Sequence, residues 1–174
     1  MFSLRGFAFA LYRLERYSQS LDCLNRVIEI AQPSEDVALH PNADSEEGQL
    51  GKDFFFLNFA IKGNVLFSLE RYLESVASYD KAIEFKPDDH ITWSNQGNSL
   101  DNLQKYDEAI ASYDKAIEFK PDDHVAWSNR GFVLQKLGHY DNAIISYDQA
   151  LKIEPENFNA LYRTHLRSSS QLIV

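Results

Sequence analysis

With one cysteine in 174 residues, Cys23, the chain cannot staple itself with a disulfide, and the thiol has no ligand-spaced companion for a structural metal. A lone thiol suits a reducing compartment and a small buried core position. No apolar run approaches the roughly 18 residues of a membrane span. The run from Phe7 to Leu11, interrupted upstream by Arg5, is shorter than the core of a secretion signal. Cations are also scarce, with 17 Lys and Arg against 26 Asp and Glu for a net charge of -9, and they gather into no patch. Such a surface repels phosphate backbones and speaks against nucleic acid. Gly-rich phosphate loops and activated-nucleophile patterns are missing too. The expectation is a soluble, cytoplasmic, non-enzymatic protein with no cofactor, no metal, and no membrane or nucleic-acid partner.

What the chain has in quantity is apolar side chains, 44% of residues with 13% aromatic, and repetition. The letters ASYDKAIEFKPDD run from Ala77 to Asp89 and return from Ala111 to Asp123, 34 residues on. The segments His90 to Asp123 and His124 to Asn157 match at 16 of 34 positions. Phe56 to Asp89 keeps the same frame, with Phe59, Gly63, Leu66, Leu69, Tyr72, Tyr79, Ala82 and Pro87 standing where Trp93, Gly97, Leu100, Leu103, Tyr106, Tyr113, Ala116 and Pro121 stand. A degenerate first unit appears when Leu14 to Ile30 is laid on Leu69 to Phe85, a shift of 55 that leaves 21 extra residues. The resulting division of one domain is 1–34, an insertion 35–55, units at 56–89, 90–123 and 124–157, and a capping helix with tail at 158–174.

Apolar residues recur at three- and four-residue intervals within each unit, which predicts two amphipathic helices per unit. The first ends near Leu103 to Lys105, the second is closed by Pro121, and Asp122 and Asp123 suit the start of the next helix. Gly97 and Gly131 fall mid-helix, where glycine costs about 1 kcal/mol relative to alanine, so a packing reason is expected, with Tyr113 and Tyr147 filling space between units. The insertion is acidic and irregular from 35 to about 44, then turns helical, since Asp44 and Glu47 have capping-box spacing.

The period of 34, Trp-x3-Gly-x2-Leu on the first helix, Tyr-x2-Ala-x3-Tyr-x2-Ala on the second and the closing Pro resemble the tetratricopeptide repeat, in the style of bacterial tandem arrays. The resemblance covers all but the insertion and the last residues. It implies an all-α, right-handed α-solenoid of four helix pairs and a C-terminal helix, whose first helices line a concave side that holds peptides or proteins. Ser75 in the slot of Ala109, Ala8 in the glycine slot of unit one, and Lys62, Gln96 and Arg130 in a usual leucine slot are departures. The last three are expected to extend the polar surface of the first helix.

Asn95, Asn98 and Asn102 recur on one stripe of a first helix, with Asn64 and Asn129 in matching slots. A side-chain amide both donates and accepts, so it can hold the backbone of an extended peptide without reading its sequence. Asn retained for solubility or helix-end bonding is the competing account. In the family, Asn at these positions forms a ladder along a bound chain. The resemblance thus implies a peptide-binding set of Asn64, Asn95, Asn98, Asn129, Phe132 and Arg163, with Phe9 and Phe67 on the same side by register. A carboxylate clamp for chaperone tails is matched by Asn98, Asn129 and Arg163, but Ser94 and Asn159 stand where it needs lysines. The triplets at Asp88 to His90, Asp122 to His124 and His139 to Asp141 lie a unit apart and are explained by helix capping. An alternative to groove binding is a self-assembling scaffold, or a fragment of a larger signalling or effector protein, that uses the apolar N-terminal end (Phe2, Leu4, Phe7) for a partner or a second copy. The insertion is either a solvated loop or a lid.

Overall fold

The computed structural model describes residues 4–31 and 46–155, and among these residues there are eight α-helices and no strand. In chain order they are α1 (Leu4–Arg13), α2 (Tyr17–Ala31), α3 (Glu46–Ser68), α4 (Tyr72–Phe85), α5 (His90–Asn102), α6 (Tyr106–Phe119), α7 (His124–Lys136) and α8 (Tyr140–Ile153). Consecutive helices pack as hairpins, α1 on α2, α3 on α4, α5 on α6 and α7 on α8. The chain divides into two compact units, Met1–Asp88 and Asp89–Val174, each carrying two of the hairpins. Within the first, α2 also packs on α3, and within the second, α6 packs on α7.

Each hairpin turns on the same device. Glu15, Glu70, Gln104 and Gly138 occupy one register position and all take the left-handed backbone, with φ of 58°, 59°, 60° and 79°. The amide three residues past each first helix then reaches back to a carbonyl five residues earlier, Arg16 to Leu11, Arg71 to Leu66, Lys105 to Leu100 and His139 to Leu134, all at 2.9 Å. These bonds satisfy helix-end carbonyls that would otherwise lack partners. The later units also share a helix start. Asp89 accepts from the amide of Thr92 at 2.9 Å, and Asp123 from those of Val125 and Ala126 at 3.1 and 3.2 Å, while Asp122 takes no part in the cap.

The start of α3 departs from this plan. Phe55 stands where Asp89 and Asp123 cap, a phenyl ring cannot accept from backbone amides, and the helix runs unbroken from Glu46. Residues 46–55, read from the sequence as part of an insertion, are therefore a helical extension of the repeat, as the onset of helix after Asp44 anticipated. Phe55 and Phe59 both stack on Phe85, with centroids 5.3 and 6.1 Å away. The expected irregular stretch 35–44, the helix from Phe158, Phe2 and the side chains of Leu4 and Phe7 lie outside the described residues, and with them the terminal surface invoked for self-assembly.

In the first unit the core joins Ala8, Leu21, Leu24, Ile61, Val65 and Leu66, and in the second Leu134, Ala143 and Tyr147 form its centre. The mid-helix glycines have the packing reason expected of them, but the partner differs. A Cβ on Gly97 would lie 2.7 Å from the Tyr113 ring and one on Gly131 2.9 Å from the Tyr147 ring, so each tyrosine fills space inside its own hairpin. The serines in the alanine slot are also satisfied there, Ser20 donating to the carbonyl of Ala8 and Ser75 to that of Gly63, both at 2.8 Å.

Candidate functional site

Helix periodicity carries the asparagines of the first helices onto one stripe, and the tyrosines of the second helices reach it from behind. In the second unit Asn98 on α5 is the junction. Its Oδ1 accepts from the Tyr113 hydroxyl at 2.7 Å and from Nδ2 of Asn129 on α7 at 3.0 Å. Two donors on that oxygen fix the orientation of the amide. Asn95 lies one turn earlier on α5, half-buried, its carbonyl accepting from Ser99 Oγ at 3.2 Å. In the first unit Asn64 repeats the arrangement, with Oδ1 accepting from the Tyr79 hydroxyl at 2.7 Å. Burial pushes both tyrosine hydroxyls well above their ordinary pKa, and for Tyr113 the negative charge of Asp101 adds to the shift. They remain neutral donors at any physiological pH.

Phe132 takes the slot of Asn98 in the next repeat, and Tyr147 donates to the amide oxygen of Gln135, Oε1, at 3.2 Å. The Phe132 ring is 39% exposed and lies under Lys136 Nζ, 4.5 Å from its centroid. Lys136 also ion-pairs with Asp101 on α5 at 2.6 Å. Phe9 is exposed beside Tyr12 on α1, and Phe67 packs edge-on against Tyr72. Arg163 and Asn159 lie outside the described residues.

The structure thus brings Asn98 and Asn129 into contact and puts Asn95 and Phe132 on the same two helices, whereas Asn64 belongs to the other unit. Three polar departures were expected to extend the polar surface, and two of them, Gln96 and Arg130, tie helices together instead. Gln96 is buried and accepts from Ser112 Oγ at 2.9 Å, and Arg130 bonds Asp114 at 2.6 Å and Ser146 at 2.7 Å, so both tie their helix to its neighbours. Lys62 is half-buried, with its pKa lowered by desolvation against the attraction of Glu74. The tyrosine hydroxyls behind the amides were missed from sequence, although Tyr follows Asn by 15 residues at both Asn64 and Asn98. Among the described residues no three His, Cys, Asp or Glu side chains are placed to hold a metal, and no helix is long and apolar enough to cross a membrane.

The repeated helical hairpins have counterparts among known proteins. Models of the tetratricopeptide repeat match residues 59–89, 78–111 and 124–157, and a TPR repeat model matches 97–138. No curated protein matches the chain. Among solved structures, the first TPR of Spaghetti (RPAP3) bound to the HSP90 peptide SRMEEVD is similar at 27% identity and a TM-score of 0.62, over 68% of this chain and 92% of that one. MamA from Desulfovibrio magneticus RS-1 is similar at 17% identity and a TM-score of 0.70, over 89% of this chain and 76% of that one. The Arabidopsis OM64 TPR domain is similar at 22% identity and a TM-score of 0.66, over 68% and 98%. With four overlapping matches from 59 to 157, a stretch that runs from within α3 through α8, the chain belongs to the tetratricopeptide repeat family, an all-α solenoid.

Proposed function

We propose that the chain is a protein-interaction module that holds a peptide segment of a protein partner on the α5–α7 face, through Asn95, Asn98 and Asn129 with Phe132 beside them. Asn64 offers the same chemistry on α3, and Arg163 follows them in register. The observation that carries this reading is the Asn98–Asn129 pair. Tyr113 and Asn129 fix the Asn98 amide with its oxygen inward, so the group turned to a ligand is an N–H donor, which suits the carbonyls of an extended chain. Support also comes from the 27% identical TPR domain, which was solved with a peptide bound. The role is binding rather than catalysis.

A terminal carboxylate is not the proposed ligand, because Ser94, in a clamp-lysine slot, is buried and uncharged. A labelled SRMEEVD peptide is expected to show no saturable binding. The reading itself is tested by affinity capture with mass spectrometry, followed by direct titration of the captured partner. The triple variant Asn95→Ala, Asn98→Ala, Asn129→Ala should lose it while keeping its helical circular dichroism. Tyr113→Phe, which removes a bond to Asn98 but keeps every amide, should retain it. Unchanged affinity in a folded triple variant excludes this face.

A further inference from the structure

Beside the amide pair, three side chains from three helices surround one ammonium group. Lys136 Nζ bonds both carboxylate oxygens of Asp101, at 2.6 and 2.9 Å, and lies 4.5 Å from the Phe132 centroid and 5.5 Å from that of Tyr106. A carboxylate with two aromatic faces is a receptor for a cation, since the ring quadrupoles and the charge all favour the same sign. It is not a closed structural pair. The Lys136 side chain is 33% exposed and Phe132 is exposed, so one side faces solvent, while Asp101 at 15% is held in place. Asp101 also acts on Tyr113, whose hydroxyl fixes Asn98, so the cation site adjoins the amides.

We infer that Asp101, Tyr106 and Phe132 form a binding site for an arginine or lysine side chain of the partner, and that Lys136 is an internal stand-in which the partner's cation displaces. The inference rests on the peptide-binding reading of the same face, and makes the partner segment basic. Three features support it. The site already holds a primary ammonium, so its geometry accepts the ligand class. Lys136 is tethered by a flexible four-carbon stem, so it can swing into water without moving the backbone. The chain as a whole carries -9, which draws a cationic segment toward it. An internal competitor lowers apparent affinity by the fraction of time it occupies the site, so removing it should reveal the site.

The experiment uses Nα-acetyl-arginine methylamide as probe and the norleucine analogue as neutral control, titrated into the full chain by calorimetry and by amide NMR. Both probes offer the same backbone groups, so the difference between them reports the cation alone and is independent of the asparagines. Lys136→Met should bind the arginine probe about tenfold more tightly than the unaltered chain, with shifts centred on Asp101 and Phe132. Lys136→Ala should do the same if the methionine refills the site. Lys152→Met, which changes the net charge equally on α8, should leave affinity unchanged, and adding Asp101→Asn to Lys136→Met should abolish the gain. Equal binding of the two probes by both Lys136 variants, or an equal gain in Lys152→Met, overturns the inference. Loss of peptide capture in the asparagine variant with arginine binding intact would separate this site from the amide ladder.

Discussion

Gly63, Gly97 and Gly131 are glycine because a tyrosine ring of the same hairpin lies on each of them, Tyr79, Tyr113 and Tyr147 in turn. The first hairpin makes the converse choice. Where the ring is replaced by Leu24, the glycine is replaced by Ala8, and both are fully buried in one cluster. Gly97→Ala should therefore destabilise the protein by about 1–3 kcal/mol, because the strain of overpacking exceeds the ~1 kcal/mol that alanine gains as a helix former. The double variant Gly97→Ala, Tyr113→Leu copies the first hairpin and should be less unstable than the two single changes summed, by about 1 kcal/mol, as measured in urea unfolding. The sequence disclosed that these glycines had a packing cause, but it misplaced the ring between repeats. Periodicity says which face a residue is on, and it does not say which of two helices meets that face. The same limit hid the commitments of Asn98: its place on the stripe was legible, whereas the hydroxyl and amide that consume its oxygen come from other helices.

At the level of the element, the turn inside each hairpin demands a left-handed residue, and only Gly138 supplies one without steric cost. A side chain with a Cβ costs roughly 1–2 kcal/mol in that conformation, and glycine returns about 0.5–1 kcal/mol of this through its freer unfolded state. Gln104→Gly, and separately Glu70→Gly, should each stabilise by about 0.5–1 kcal/mol, visible as a raised urea midpoint with unchanged slope. Both residues are exposed, so no packing is lost. Helix ends were largely legible, since Pro87 and Pro121 and the aspartates before His90 and His124 act locally. The start of α3 was only partly so. The repeat frame put the unit boundary at Phe56, but a helix stops at a cap and not at a frame, and with Phe55 in the cap position it continues back to Glu46.

On the scale of the whole molecule, duplication made the fold readable: one 34-residue pattern, solved once, specifies hairpin after hairpin, and its changes mark where the molecule departs from its own rule. The repeated tyrosines also set how the molecule responds to pH. Tyr79 and Tyr113 are almost fully buried and donate to asparagine oxygens, which only the neutral phenol can do. Their folded pKa values lie above the unfolded value near 10, so the stability they contribute is complete below pH 10 and is lost as pH rises beyond it, when the unfolded chain releases protons that the native state retains. Each retained proton steepens the loss by up to about 1.4 kcal/mol per pH unit. Lys62 acts in the opposite sense, because its folded pKa is depressed, and half-burial makes it the weaker influence. The growing negative charge, already -9 at neutral pH, adds repulsion. Urea unfolding between pH 7 and 11.5 should show little dependence on these groups up to pH 9 and a steep fall above 10. Tyr113→Phe should begin about 1 kcal/mol less stable at pH 7, through the lost bond to Asn98, yet decline less steeply above pH 10. Lys62→Met, which removes the opposing group, should decline more steeply. Parallel curves for the unaltered chain and Tyr113→Phe across pH 10–11.5 would show that the buried hydroxyl is not what the alkaline transition reports.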